Sequence, residues 1–438
     1  MKLRLWTCVI LVSYVLPHGL LFAADNPDLS HLSLPQAEQL FTTNNRELLA
    51  ARRVVEGSQA DTLSAAQKPN PTLSLSTANF NLNRREGNAN PQGGGGGITN
   101  QTISSVVQIS QLFERGDKRE IRMALANDVL KASQYGYKDT IRQQKLMLRI
   151  AYYDLLLTQE SEQVQQNNVA LYDKTLDAAQ LRLKAGDIAS SDVARIRVDA
   201  LRAKNDLRQA QANRQKAQAN LAYVIGKEQE AGTITAVDAW PTVETAAAIQ
   251  QADIDQEKLN ERADIKAAEA YVQAANENRR LAEALRKRDV TIGVQYQHYP
   301  GQGPGNGEDT VGAAVSIPLF TNYQYQGEIA RAQVNLDATL DAKQQARAAA
   351  LGEISRARAD LDAAVEKVRR YDGQMLSEAK KSADAAEFAY QHGAMDVTDL
   401  LDARRVLRAI QLDAATVHAD FAKSLAAWQA ATQTEDDQ

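Results

Sequence analysis

The sequence predicts a mainly α protein with a small β part, in which very long coiled-coil helices continue into four short strands. Three observations predict it. The 438 residues hold long stretches rich in Ala, Leu, Gln, Lys, Arg, Glu and Asp, with only 10 prolines and 5% aromatics. Residues 118–184 contain no proline and one interior glycine, Gly136. The second half of the chain repeats the first at a constant offset of 207 residues.

Composition excludes several function classes. Apolar residues make up 44% and charged residues 24%, so the chain is not disordered by composition. The one cysteine, Cys8, lies in a leading segment read as removable. That leaves no disulfide, thiolate metal site or cysteine nucleophile for the rest of the chain. The five histidines, His18, His31, His298, His392 and His418, are scattered, without metal-ligand spacing. No nucleotide site, redox centre or catalytic constellation is visible. The expectation is therefore a protein that is not an enzyme and takes no cofactor or resident metal. The formal charge is −5, and removal of Lys2 and Arg4 takes it to −7. No basic run stands out, which argues against nucleic-acid binding.

The segment 1–24 reads as a secretory signal peptide: a basic start at Lys2 and Arg4, then an apolar run from Leu5 to Ala24 broken by Pro17, His18 and Gly19. A retained membrane anchor is the alternative. After residue 24 no stretch approaches 18 consecutive apolar residues, so no transmembrane helix is expected there.

The repeat organises the rest. Leu112-Phe113 matches Leu319-Phe320, Gly186 matches Gly393, and Asp192, Arg197 and Asp206 match Asp399, Arg404 and Asp413. The division is a first repeat at 25–226, a linker at 227–253 that reads mostly as loop, a second repeat at 254–431 and a polar tail at 432–438. Each repeat begins with a helix, about 34–67 and about 254–287. Ser33 or Asn26 is the candidate cap of the first and Asp253 of the second. Two alternating runs follow, then a very long helix (about 118–184 and about 325–391), a glycine turn at Gly186 or Gly393, and a closing helix.

A helix over 118–184 reaches roughly 100 Å at 1.5 Å per residue. It must pack along its length on other helices. Ile150, Leu157, Val164, Leu171 and Ala178 recur every seven residues, as do Leu361, Val368, Met375, Ser382 and Ala389. Such spacing favours knobs-into-holes contacts in a left-handed supercoil. An ordinary elongated coiled coil fits these helices equally well.

The strands separate the two readings. Pro71 opens Thr72–Phe80, with Leu73, Leu75 and Thr77 on one face; residues 102–110 place Val107 and Ile109 with Ile103 and Ser105. Val290, Ile292, Val294 and Tyr296 alternate with Thr291, Gly293, Gln295 and Gln297, and Val311, Ala313, Val315 and Ile317 with Gly312, Ala314 and Ser316. These are period-two strands long enough to cross a membrane at a tilt. Glycine-rich loops, Gly93–Gly97 and Pro300–Gly307, join each pair. No Gly-Lys-Ser/Thr follows Gly97, so that run is no phosphate loop. Four strands cannot close a barrel, and lipid tolerates no open edge, so copies of the chain must supply the remainder by cyclic symmetry. Three copies give twelve strands; sequence alone leaves three or four open.

With Asn70-Pro71-Thr72-Leu73 entering the first strand, Ile317-Pro318-Leu319-Phe320 leaving the fourth, the duplicated order and the turn from Tyr390 to Asp402, the chain resembles the TolC-type outer-membrane efflux family over nearly its whole mature length. The run Leu112 to Arg122, with Gly116, Lys118 and Arg119, is similar to its heavy-metal (CzcC-like) branch, from which it departs by inserting Asp117. The resemblance implies a homotrimer with a 12-stranded transmembrane β-barrel held in outer-membrane lipid. A long helical tunnel would continue it across the periplasm, its tip meeting a periplasmic adaptor (membrane fusion) protein and an inner-membrane RND-type pump.

The two glycine turns are the candidate tip. Gly186 and Gly393 suit left-handed helix C-caps. Ser190, Ser191 or Asp192 is a candidate cap for the helix after the first turn, and Asp396 or Thr398 for the helix after the second. Asp399 and Asp402, three apart, share a helix face. The resemblance places their counterparts at a narrow periplasmic entrance, where three copies would form two carboxylate rings that attract cations. In the first half Asp192 matches Asp399, but Arg195 replaces Asp402. Tyr390 matches a family tyrosine that helps to latch a closed tip. Gly186, Asp187, Ser190, Asp192, Gly393, Ala394 and Met395 are the candidate adaptor-docking residues. An acidic pair on a helix is otherwise a solvated face.

The function expected is a passive exit duct for substrate handed over by a pump, with heavy-metal cations as the first candidate cargo. A multidrug or protein-secretion channel of the same family is the alternative. A periplasmic coiled-coil structural or adaptor protein is the rival from another class.

Overall fold

The computed structural model describes residues 28–78, 104–244, 256–299 and 308–432. The signal segment, Asn26, Asp253, both glycine-rich loops and most of the polar tail lie outside them. In chain order the elements are α1 (Leu34–Asn44), α2 (Arg46–Ala65), β1 (Thr72–Ala78), β2 (Ser104–Phe113), α3 (Lys118–Ala185), α4 (Ser190–Ile225), α5 (Gln256–Asn260), α6 (Ala263–Ala284), β3 (Val290–Tyr299), β4 (Glu308–Ser316), α7 (Gln326–Arg370), α8 (Leu376–Gln391) and α9 (Val397–Thr432).

Helix α3 is 68 residues long and is the spine of the molecule. Helices α2, α4, α6 and α9 all pack on it. Near the strands the helices lie in the order α2–α3–α6–α7, and at the far end in the order α4–α3–α9–α8. The four strands form one antiparallel sheet in the order β1–β2–β3–β4. Each strand adjoins its own helix, so sheet and helices make one continuous layer four elements wide. One side edge is β1 with α2, the other β4 with α7.

The run around Asp117 forms the collar where sheet turns into helix. Gly116 and Asp117 both take left-handed conformations, φ 78° and 55°. The turn aims the Arg115 N–H at Asp289 Oδ1 (2.9 Å) and brings the buried Lys118 Nζ to the same oxygen (2.8 Å) and to the Lys287 carbonyl (2.8 Å). Arg122 donates to Glu114 across the same turn (2.9 Å). A lysine this buried is tolerated because its ammonium is both paired and hydrogen-bonded.

At mid-height the segment just before α1 and the linker bind the helices. Leu32 pairs with Ala236, and the single proton of the Tyr152 hydroxyl is shared between two acceptors, Asp238 Oδ2 at 2.8 Å and the Leu32 carbonyl at 3.0 Å. Leu32, Phe41, Leu148, Tyr152, Leu155, Leu221, Ile225 and Ile234 fill the core there. The linker, read as loop, contains a short 3-10 helix, Glu228–Thr233, and packs as part of this core.

Several expectations are corrected. The first helix is two, divided at Asn45, whose side chain accepts from Leu48 N–H (3.0 Å) and donates to the Val224 carbonyl (2.9 Å). At its start the Ser33 N–H bonds the Gln36 side chain at 2.9 Å, half of a capping box. The second-repeat helix divides before α6, where Arg262 takes the cap position. The seam of α3 runs through Leu148, Leu155, Glu162 and then Gln165, Tyr172 and Ala179, rather than through Ile150, Leu157, Val164, Leu171 and Ala178. Helix α3 is flanked on both sides, so its apolar stripe is shared between neighbours and polar Glu162, Gln165, Asn168 and Thr175 are buried.

The long second-repeat helix is interrupted by a π-turn at Tyr371–Met375. A π-turn inserts one residue. The seam therefore starts at Leu361 and Val368 as expected, then moves on by one, from Met375, Ser382 and Ala389 to Leu376, Ala383 and Tyr390. Met375 is exposed and Ala383 buried, as the shift requires.

Candidate functional site

The candidate functional regions are the sheet and the far tip. Partners directly opposite in an antiparallel sheet share a face. One face holds the rows Leu73–Ile109–Val294–Ala313, Leu75–Val107–Tyr296–Val311 and Gln111–Ile292–Val315. The other holds Ser74–Gln108–Gln295–Gly312 and Ser76–Val106–Gln297–Thr310. The apolar side chains are the more exposed set, at 40–78% for Leu73, Leu75, Val107, Ile109, Ile292, Val294, Tyr296, Val311 and Val315. Gln108, Gln295 and Gln297 on the opposite face are half-buried. A water-soluble sheet has the reverse arrangement. An apolar outer band around a polar inner face is what a membrane-spanning barrel wall requires. Charged residues of the described strands sit at the end away from the helices, where His298 Nδ1 meets Asp309 Oδ1 at 2.7 Å and Glu308 lies beside Tyr299.

At the tip, both long helices end alike. Gly186 and Gly393 adopt φ 86° and 72°. The Asp187 N–H donates to the Arg182 carbonyl (2.9 Å) and the Ala394 N–H to the Ala389 carbonyl (2.8 Å), the six-to-one bond of a Schellman turn. A Cβ at either glycine meets nothing within 4 Å. Gly393→Ala is therefore expected to cost about 1 kcal/mol through backbone strain alone. Thermal melting of the purified protein checks this, and Gly393→Asn should recover part of the loss.

The following helices start differently. Asp396 caps α9, its Oδ1 accepting from the N–H groups of Thr398 (2.8 Å) and Asp399 (3.0 Å). None of Ser190, Ser191 and Asp192 caps α4: Ala189 holds that position, Ser190 is the first helical residue, and Asp192 lies in the first turn. There its charge still complements the helix dipole.

The fold brings the two turns together around one core of Tyr172, Val193, Ile196, Val397 and Leu401. Tyr390 packs against that core, with the Arg182 guanidinium over its ring at 5.3 Å. Burial raises the Tyr172 hydroxyl above its ordinary pKa, and the Asp199 charge adds to the effect. Asp187, Ser190 and Ala394 are exposed and Met395 is half-buried. Asp399 is exposed, while Asp402 Oδ1 accepts from Arg405 at 2.8 Å.

A set of contacts that the sequence reading does not anticipate joins the two halves here. Arg195 donates to Thr398 Oγ1 (2.8 Å), Arg405 to Asp199 (2.6 Å) and Arg408 to Asp206 (2.8 Å). These bonds stitch α4 to α9 across the groove between them. One sequence signal points to the set: Asp192, Asp199 and Asp206 recur every seven residues, a charged stripe along one face of α4.

Comparison with known proteins agrees with this geometry. The family model for outer membrane efflux proteins matches residues 39–227 and 255–432. The chain belongs to the outer membrane efflux protein family. Its relatives include the cobalt-zinc-cadmium resistance protein CzcC of Cupriavidus metallidurans, 22% identical over 396 residues, spanning 86% of this chain and 84% of that one. Among solved structures, the outer membrane protein VceC of Vibrio cholerae superposes with a TM-score of 0.73 at 19% identity, covering 92% of this chain and 96% of VceC. CusC gives a TM-score of 0.73 at 16% identity, covering 92% of both chains. This efflux protein thus has the helical-barrel and β-barrel architecture of outer-membrane channels, with a periplasmic helical tunnel. Family and fold are those of channels, not of enzymes.

Proposed function

We propose that three copies of this efflux protein close into a passive exit duct. The duct carries heavy-metal cations delivered by an inner-membrane RND-type pump through a periplasmic adaptor. The observation that carries the duct is the pair of aligned open edges. β1 with α2 and β4 with α7 run the full height of the sheet and the helices beside it, and the sheet is apolar on its exposed face. An edge in lipid leaves backbone N–H and C=O groups without partners, so β1 of one copy must pair with β4 of the next. Head-to-tail contacts of this kind close into a ring, and twelve strands leave an open lumen.

Apart from Glu308 at the end away from the helices, the described side chains of the sheet's inner face are Ser, Gln, Thr and other uncharged residues, which do not distinguish one small solute from another. The metal reading is supported by the likeness to CzcC and by the acidic residues of the tip. Gly186, Asp187, Ser190, Asp192, Gly393, Ala394 and Met395 would meet the adaptor, and Asp399, Asp402 and Tyr390 would surround the entrance.

The test is growth of a deletion strain across graded metals and a drug panel. Hypersensitivity to cobalt, zinc or cadmium, restored by the gene in trans, is the expected result. Sensitivity confined to dyes, detergents and antibiotics would transfer the duct to multidrug export and sink the metal reading.

A further inference from the structure

We propose that Arg405 decides which entrance carboxylate meets the cargo, leaving Asp399 available to a cation and keeping Asp402 closed to it. The inference rests on the reading above that this end of the helices is the tunnel entrance.

Between the first turns of α4 and α9 lies a groove of about 510 Å³. Three guanidinium groups, Arg195, Arg202 and Arg405, line it against two carboxylates, Asp199 and Asp402. The lining of the groove is therefore net positive in each chain. Arg405 bridges both carboxylates, at 2.6 Å to Asp199 Oδ2 and 2.8 Å to Asp402 Oδ1.

Taken alone, an exposed pair three residues apart on a helix contributes little and opens readily. This one differs because Arg405 is anchored. The Asp199 side chain is 7% exposed, so water cannot replace its partner. Its other cation, Arg202, is 3.7 Å away on a side chain that is 73% exposed, a weak second contact. Arg405 is thus fixed by a buried anion and presents its remaining N–H groups to Asp402. A cation approaching Asp402 meets a carboxylate already engaged by a guanidinium. Asp399, one turn nearer the tip, is exposed, and among the described residues its carboxylate takes part in no ion pair. Three copies then offer one open ring of carboxylates rather than two.

The experiment is block of single-channel current by Zn²⁺ in planar bilayers, using the purified full-length oligomer and a double-mutant cycle. Asp399→Asn should weaken block on the order of fivefold. Asp402→Asn should change block little in the wild-type background and on the order of fivefold in the Arg405→Gln background, where the carboxylate is released. Arg405→Lys should behave as wild type. If Arg405→Gln fails to assemble because Asp199 is stranded, Asp199→Asn/Arg405→Gln removes the stranded charge and serves as the same background. Equal effects of Asp402→Asn in both backgrounds would overturn the proposal, because charges that merely add give that result. A conducting oligomer in which neither Asp399→Asn nor Asp402→Asn alters block would instead overturn the placement of the entrance, and no current from any variant would overturn the duct itself.

Discussion

Arginine at Val294 is expected to remove the protein from the outer membrane, whereas arginine at Gln295, the next residue, leaves it there. Val294 is midway along β3, in the row Leu73–Ile109–Val294–Ala313, with its side chain pointing out of the exposed apolar face. A charged residue at that depth on a lipid-facing strand costs about 2–4 kcal/mol per copy. Three copies in one barrel would bring the total to about 6–12 kcal/mol, comparable with the whole stability of a typical domain. Gln295 lies on the opposite face between Gln108 and Gly312, where water solvates a guanidinium and lumen substitutions cost little. The measurement is the fraction of each variant recovered in outer membranes and resistant to urea extraction. Equal recovery of the two variants would mean that the apolar face is not against lipid.

The features legible in the sequence are the local ones. A left-handed C-cap needs a glycine, and Gly186 and Gly393 supply it within their own turns. Period-two alternation needs only neighbouring residues, so all four strands are legible; Phe80 and Ile103 lie outside the described residues, and β2 runs on past residue 110 to Phe113. The described part of β4 reaches back to Glu308, before the expected Val311, because Glu308 and Asp309 pair with Tyr299 and His298. What the sequence hides is set across the layer. The π-turn at Tyr371–Met375 has no local signature, yet it moves every later seam residue by one. The division at Asn45 depends on the end of α4, where a Cβ on Gly226 would lie 2.8 Å from Asn44. At the tip, Asp399, Asp402 and Tyr390 are legible as entrance candidates only through the resemblance to the efflux family. The bridge from Arg405 to Asp199 joins residues 206 apart in sequence, and only the seven-residue spacing of acids on α4 hints at it.

Glu353→Gln is expected to destabilise the helical region by about 2–4 kcal/mol at neutral pH. Glu353 on α7 lies between two nearly inaccessible guanidinium groups, Arg142 on α3 at 3.0 Å and Arg262 ahead of α6 at 2.8 Å, whose side chains are 5% and 2% exposed. Arg142 also donates to the Ala430 carbonyl and Arg262 to the Ala431 carbonyl, so the carboxylate ties α3, α6, α7 and the end of α9 to one point. Removing it leaves buried charge only partly compensated. Asp139 and Asp264 still hold one arginine each, and Glu353 itself is partly exposed, which keeps the loss below that of a sealed pair. Burial pushes the Glu353 carboxyl up, but the Arg262 hydrogen bond and the Arg142 charge outweigh it and hold it below the ordinary glutamate value. A carboxyl lowered on folding contributes stability that is present above its unfolded pKa, about 4.3, and is lost as pH falls through the folded value. The gap between wild type and Glu353→Gln should therefore be widest at neutral pH and close on acidification below about pH 4. Circular-dichroism melting of both proteins from pH 7 to pH 3 measures it. A gap that stays constant over that range would show that the variant acts through packing alone and not through the carboxylate's charge.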